Sequence, residues 1–132
     1  MKFVTRLNWK VLSGLLFVIC AQAAASSSPV FAGGADVIYV KVVKTDADMY
    51  RFSVTVRHSD EGWEHYADRW DVLDPKGHVL GTRVLMHPHD NEQPFTRSMK
   101  LSIPMNVKKV TVRARDKTHG YTGKEYSISL PE

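Results

Sequence analysis

DADMYRFSVTVRH, residues 46–58, decides the fold. Tyr50, Phe52, Val54 and Val56 alternate with Arg51, Ser53, Thr55 and Arg57. Apolar and polar residues at strict period two describe a strand with one dry face and one wet face. The same alternation recurs on both sides of this stretch. DVIYVKVVK, 36–44, aligns Ile38, Val40 and Val42. HYADRWDVLD, 65–74, aligns Tyr66, Asp68, Trp70 and Val72. DPKG, 74–77, supplies proline and glycine for a tight turn into HVLGTRVLM, 78–86. PFTRSMKLSIP, 94–104, aligns Phe95, Arg97, Met99, Leu101 and Ile103. KKVTVRARD, 108–116, points Val110, Val112 and Ala114 inward, and after the GYTG turn EYSISL, 125–130, is the last strand.

Seven short strands joined by turn signals, without crossover helices, predict an antiparallel β-sandwich. Trp70 suits the core tryptophan that such folds often carry. The VTVRARD strand, its glycine turn and the closing strand resemble the final hairpin of immunoglobulin-like and fibronectin type III domains. The resemblance implies a seven-stranded immunoglobulin-like sandwich and no particular activity. HPHDNEQPFTRS, 87–98, also resembles segments of uncharacterised secreted bacterial proteins.

The sandwich is expected over residues 33–132. Before it, MKFVTRLNWK carries Lys2, Arg6 and Lys10 and no acid, then comes the apolar run VLSGLLFVICAQAAA, then SSSPVFA. A basic start, a short apolar core and small residues at a cleavage site describe a secretory signal peptide. The expected cut follows Ala32, with Ala23 or Ala25 as alternatives. Cys20 follows Ile19, which is not the small residue a lipobox wants, so the cysteine is expected to leave with the signal. The mature domain then has no thiol for a disulfide or for catalysis, and no membrane anchor. Its expected location is periplasmic or secreted.

The charge balance changes with the signal removed. The chain holds 18 Lys and Arg against 14 Asp and Glu, but Lys2, Arg6 and Lys10 lie in the signal, leaving 15 against 14. A near-neutral domain gives no electrostatic footprint for nucleic acid. The sequence also contains no G-x-S-x-G elbow, phosphate-cradling glycine loop or dinucleotide fingerprint. No residue is assigned a catalytic role, and no enzyme activity is expected.

The histidines carry the functional reading. If consecutive strands run antiparallel, the connections after strands two, four and six lie at one end. His58 and His65 bracket the first of these, His87 and His89 lie in the second, and His119 lies in the third. Only His78 falls at the other end. Neutral imidazole is the commonest protein ligand for transition metals. Histidines converging from separate loops suit Cu(II), Zn(II) or Ni(II), and Met86 beside His87 shifts preference toward Cu(I). Pro88 fixes the backbone between His87 and His89. Copper is the expected metal, zinc or nickel less so, because exported proteins handle copper. His87 and His89 lead the candidates, followed by His119, His65 and His58. The alternative is an interaction module in which Trp63, Phe95 and Tyr121 contact a partner protein or a glycan. Arg97 and Asp68 share inward phases, which predicts an ion pair of Arg97 with Asp68, or with Glu92, because a buried charge needs a partner.

Overall fold

A computed structural model describes residues 33–132, and the expected signal peptide, residues 1–32, lies outside them. The described chain is all-β. It contains β1 (Asp36–Lys44), β2 (Met49–Arg57), β3 (Ala67–Leu73), β4 (Val79–Val84), β5 (Phe95–Ser102), β6 (Lys109–Asp116) and β7 (Tyr126–Ser129). They form a three-stranded sheet, β1-β2-β5, and a four-stranded sheet, β4-β3-β6-β7, with every pair antiparallel. No helix among the described residues is long and apolar enough to cross a membrane.

The two sheets pack face to face. Val37, Val40, Phe52, Val54, Val56, Phe95 and Ile103 from one side meet Trp70, Val72, Val110, Val112 and Ala114 from the other. The alternation of β2 is the one its sequence predicts: Tyr50, Phe52, Val54 and Val56 are buried. The outer face of the same sheet carries a hydroxyl ladder, with Ser53 bonded to Ser98 at 2.9 Å and Thr55 to Thr96 at 2.8 Å.

Two strands depart from their expected phase. In β1 the pairing with β2 shifts between Val37 and Tyr39, so Val37 and Val40 are buried rather than an unbroken Ile38-Val40-Val42 face. An extra residue in one strand reverses every side chain on one side of it. In β3 the pairing with β6 shifts between Ala67 and Arg69, and Ala67 is buried in place of Tyr66. Asp71, on the wet side of β3, is nevertheless buried: it accepts from Thr82 Oγ1 at 2.7 Å and Arg113 Nε at 3.1 Å, its neighbours across β4 and β6.

The register gathers one end of the molecule. Asp36 pairs with Arg57, Val56 with Phe95, Ala67 with Asp116, and Arg69 with Val84. The segment leading into β1 therefore meets the β6–β7 loop. Val37 N donates to Lys124 O at 2.8 Å, and Lys124 N to Asp36 Oδ1 at 2.7 Å. The approach is so close that a Cβ on Gly123 would stand 1.8 Å from the Ala35 carbonyl oxygen. Gly123→Ala is expected to cost about 1–3 kcal/mol, the usual range for overpacking, measured as a lower urea midpoint. An unchanged midpoint would mean that this crossing is loose.

Candidate metal centre

Asp116 organises the centre. It is the last residue of β6 and the inward position after Val112 and Ala114. Its side chain is fully buried. Oδ1 accepts from the backbone N–H groups of Thr118 at 2.7 Å and His119 at 2.9 Å. Asp116 and Gly120 exchange backbone bonds at 2.9 and 2.8 Å, and Gly120 takes the left-handed φ of 73° that the turn requires. With Oδ1 committed to the turn, Oδ2 faces three imidazoles. His58 Nε2 lies at 2.5 Å, His65 Nε2 at 2.7 Å and His119 Nδ1 at 3.3 Å.

His58 immediately follows β2, and its side chain is fully buried. Nδ1 meets Asp60 Oδ1 at 2.5 Å, while Nε2 reaches both Asp116 Oδ2 and the Gly33 carbonyl oxygen, the latter at 2.8 Å. Asp60 is held in turn. Oδ1 accepts from Ala67 N at 3.0 Å, and Oδ2 accepts from His89 N at 2.6 Å. Gln93 ties in the β4–β5 loop by accepting from His58 N at 3.0 Å and donating to His89 O at 3.1 Å.

The electrostatics follow from this enclosure. Burial alone would lower the His58 pKa, but the bonds to Asp60, Asp116 and the Gly33 carbonyl raise it to about 9. Burial also opposes the charge of His65, and Asp116 and Glu61 again outweigh it, so its pKa is raised. Burial would raise the Asp60 carboxyl, whereas the bonds from His58, His89 N–H and Ala67 N–H bring it below the usual range. Asp116 is held far below that range against its own burial by the N–H groups of His119 and Thr118 and by His58 and His65. The raised His58 pKa means that an ion entering here would have to displace a proton.

Three of these residues offer ligand atoms at a spacing that could hold a metal ion. Ligand atoms of His58, His65 and Asp116 all lie within 4.8 Å of one another. His58 Nδ1 faces Asp60, and a carboxylate behind the far nitrogen is how ligating histidines are usually oriented; Nε2 would reach an ion only in exchange for its contacts to Asp116 and the Gly33 carbonyl. Tetrahedral ligands about 2.0 Å from zinc or copper stand roughly 3.3 Å apart. The present 2.5 and 2.7 Å separations would therefore open by less than about 1 Å as an ion replaced the proton.

Other expected residues are placed differently. His87 and His89 pair with each other, ring centroids 4.7 Å apart, and stand outside the His58–His65–Asp116 group. His89 is buried and stacks on Phe95 at 3.9 Å with 9° between the planes. Its pKa is lowered, first by burial and then by Arg97 and His87. Phe95, expected among the contact aromatics, is 1% exposed beneath that ring and has no surface to offer a partner. Trp63 and Tyr121 are exposed; Trp63 packs edge-on to Tyr66, and the Arg113 guanidinium covers the Tyr121 ring at 3.8 Å. The Arg97–Asp68 pair does not form. Arg97 bonds Glu92 through both terminal nitrogens, at 3.3 and 3.1 Å, because the β4–β5 loop turns back over the start of β5. Asp68 instead accepts from Arg115 at 2.7 Å, across the β3–β6 ladder of its own sheet.

Sequence reading placed neither Asp60 nor Asp116 among the candidate ligands or their supports. For Asp116 the signal was present: it continues the inward phase of Val110, Val112 and Ala114 by one step. Nothing local marks Asp60, whose role appears only when His58, Ala67 and His89 close around it.

A putative lipoprotein from Halomicrobium mukohataei is 42% identical to this chain over 89 residues, 67% of the chain and 44% of that relative. The chain thus spans less than half the length of the relative it matches. No family model and no solved structure matches it.

Proposed function

We propose that this is an exported immunoglobulin-like β-sandwich that binds a transition-metal ion, copper before zinc or nickel, without catalytic turnover of its own. His58, His65, His119 and Asp116 would supply the ligands, and Asp60 would orient His58. The observation that carries the reading is the convergence of three imidazole nitrogens on Asp116 Oδ2. Imidazole nitrogens and a carboxylate oxygen are donors that a divalent ion accepts. Three nitrogens and one oxygen suit Cu(II) and Zn(II), and the general affinity order puts Cu(II) first. Export, to the periplasm or the exterior, is supported by the signal-like residues 1–32 and by the relative named a putative lipoprotein.

The test is thermal unfolding of the purified protein with a chelator, and then with Cu(II), Zn(II) or Ni(II). At a free-ion concentration 100 times Kd, one site adds about 2.7 kcal/mol. That corresponds to a rise of roughly 10–20 °C for a domain of this size. The His65→Ala/His119→Ala variant keeps the buried His58–Asp116 pair and should lose most of the rise. An identical melting temperature with every metal would retire the reading. The exposed Trp63 and Tyr121 would then remain as the contact surface for a protein or glycan.

A further inference from the structure

We infer that His87 and His89 form a second metal position, separate from the Asp116 centre and suited to Cu(I). The inference does not rest on the first centre. The His89 side chain is 3% exposed, yet neither Nδ1 nor Nε2 has a hydrogen-bond partner among the described residues. Buried imidazoles ordinarily spend at least one nitrogen on a partner. The nearest carboxylate oxygen, Asp60 Oδ2, stands 3.9 Å from Nδ1, beyond bonding range, and is already taken by the His89 backbone N–H. The stack on Phe95 holds the ring in place. An enclosed imidazole held by its ring stack, with no hydrogen-bond partner on either nitrogen, is the donor this position offers.

His87 supplies the partner. Its ring centroid is 4.7 Å away. Nδ1 lies 3.0 Å from the Pro88 carbonyl oxygen of the same loop, which leaves Nε2 free. His87 is exposed, so its ring can turn to complete a two-nitrogen clamp. Met86, the preceding residue, is 74% exposed and offers a thioether on the same loop.

Charge separates this position from the first. Two carboxylates, Asp60 and Asp116, enclose the histidine cluster and would balance a dication. Around His89, Arg97 and His87 act as nearby positive charges, opposed by Asp60 and Glu92. Both carboxylates are already engaged, Glu92 by Arg97 and Asp60 by His58 and the His89 amide, so a dication beside Arg97 is costly. A soft monovalent ion held by imidazoles and a thioether is not. The molecule would thus carry a hard and a soft position at the same end.

The experiment is anaerobic titration with Cu(I) against a chromophoric Cu(I) chelator, with bound copper counted by elemental analysis. The expected result is one Cu(I) equivalent on the wild type that is retained by His65→Ala/His119→Ala. His87→Ala should lose it, and so should His89→Phe. His87 is exposed, so its variant tests the site without disturbing the core. X-ray absorption of the loaded protein should show a low-coordinate nitrogen shell with a sulfur contribution that Met86→Leu removes. Retention of Cu(I) by both His87→Ala and His89→Phe would overturn the proposal. So would loss of the equivalent in His65→Ala/His119→Ala alone, or a wild type that takes up no Cu(I). Failure of the Asp116 centre would read differently, as a Cu(I) equivalent without metal-dependent stabilisation through His65 and His119.

Discussion

Asp116→Ala is expected to cost the metal-free protein about 3–5 kcal/mol, the range for removing one partner of a buried ion pair. The loss is large because one side chain serves two purposes. Oδ1 satisfies two backbone N–H groups that fix the β6–β7 turn, and burying them without an acceptor is expensive. Oδ2 balances the charge on His58, whose side chain is fully enclosed. A domain whose whole stability is of order 5–15 kcal/mol would be left marginal. Urea denaturation in a chelator measures the effect. Asp90→Ala, removing an exposed acceptor that meets only Gly62 N at 3.2 Å, is the control, and should stay within about 0.5 kcal/mol. If Asp116→Ala cost no more than Asp90→Ala, the buried network would not be holding this end together.

Raising the pH from 6.5 to about 9 should destabilise the metal-free protein and leave the loaded one level, because neither the loaded fold nor the unfolded chain then holds a proton on these imidazoles. His58 has an ordinary pKa of 6.5 and a folded value of about 9. A group whose pKa rises on folding contributes fully below its unfolded value and loses that contribution as pH climbs through the folded one. Between pH 6.5 and 9 the His58 contribution, about 3 kcal/mol at 1.36 kcal/mol per unit, should therefore disappear. The facing groups are Asp60, Asp116, the Gly33 carbonyl, His65 and, beyond it, His119. His65 is shifted in the same direction and steepens the fall. Asp60 and Asp116 are shifted downward, so their contribution is present above the ordinary carboxylate value of 3.8 and is lost as pH drops below it. Metal-free stability should peak between these limits. A bound ion requires the same imidazoles unprotonated, so metal affinity rises over the window in which the apo protein weakens. Urea midpoints at pH 5, 7 and 9, with chelator and with metal, should diverge. A metal-free midpoint that stays level from pH 6 to 9 would show that His58 is not held as a cation.

How far the sequence could be read depended on whether period two ran unbroken. β2 and β5 kept phase from end to end, and their apolar residues lie in or against the core. β1 and β3 each contain a shift in pairing, and nothing in VIYV or YADR marks it. Alternating strand direction was enough to bring five histidines to one end. It could not say which rings would touch, because that depends on sheet order. β3 and β6 are neighbours, so the loops at their ends place His65 and His119 beside each other. β4 and β5 lie at the edges of different sheets, so the loop joining them presents His87 and His89 apart. The buried acids were harder still. Asp116 was legible as the last inward residue of β6, two places after Ala114. Asp60 was not, because its role depends on how the β2–β3 loop folds on itself and on the His89 amide 29 residues away. Arg97 found the local partner, Glu92, five residues away, rather than Asp68 in the other sheet.

The partners around Asp116 also determine when the centre exists. Gly33, His58, His65 and Asp116 come from opposite ends of the domain, and 58 residues separate His58 from the oxygen it contacts. Contacts of such long sequence separation are costly to close early, and if they form after the transition state the ion has a particular kinetic signature. An ion seated there would then act after the transition state. It would leave the rate of folding unchanged and slow the rate of unfolding. The metal would thus act as a latch on the finished domain and not as a template for building it, lengthening the native lifetime without hastening its arrival.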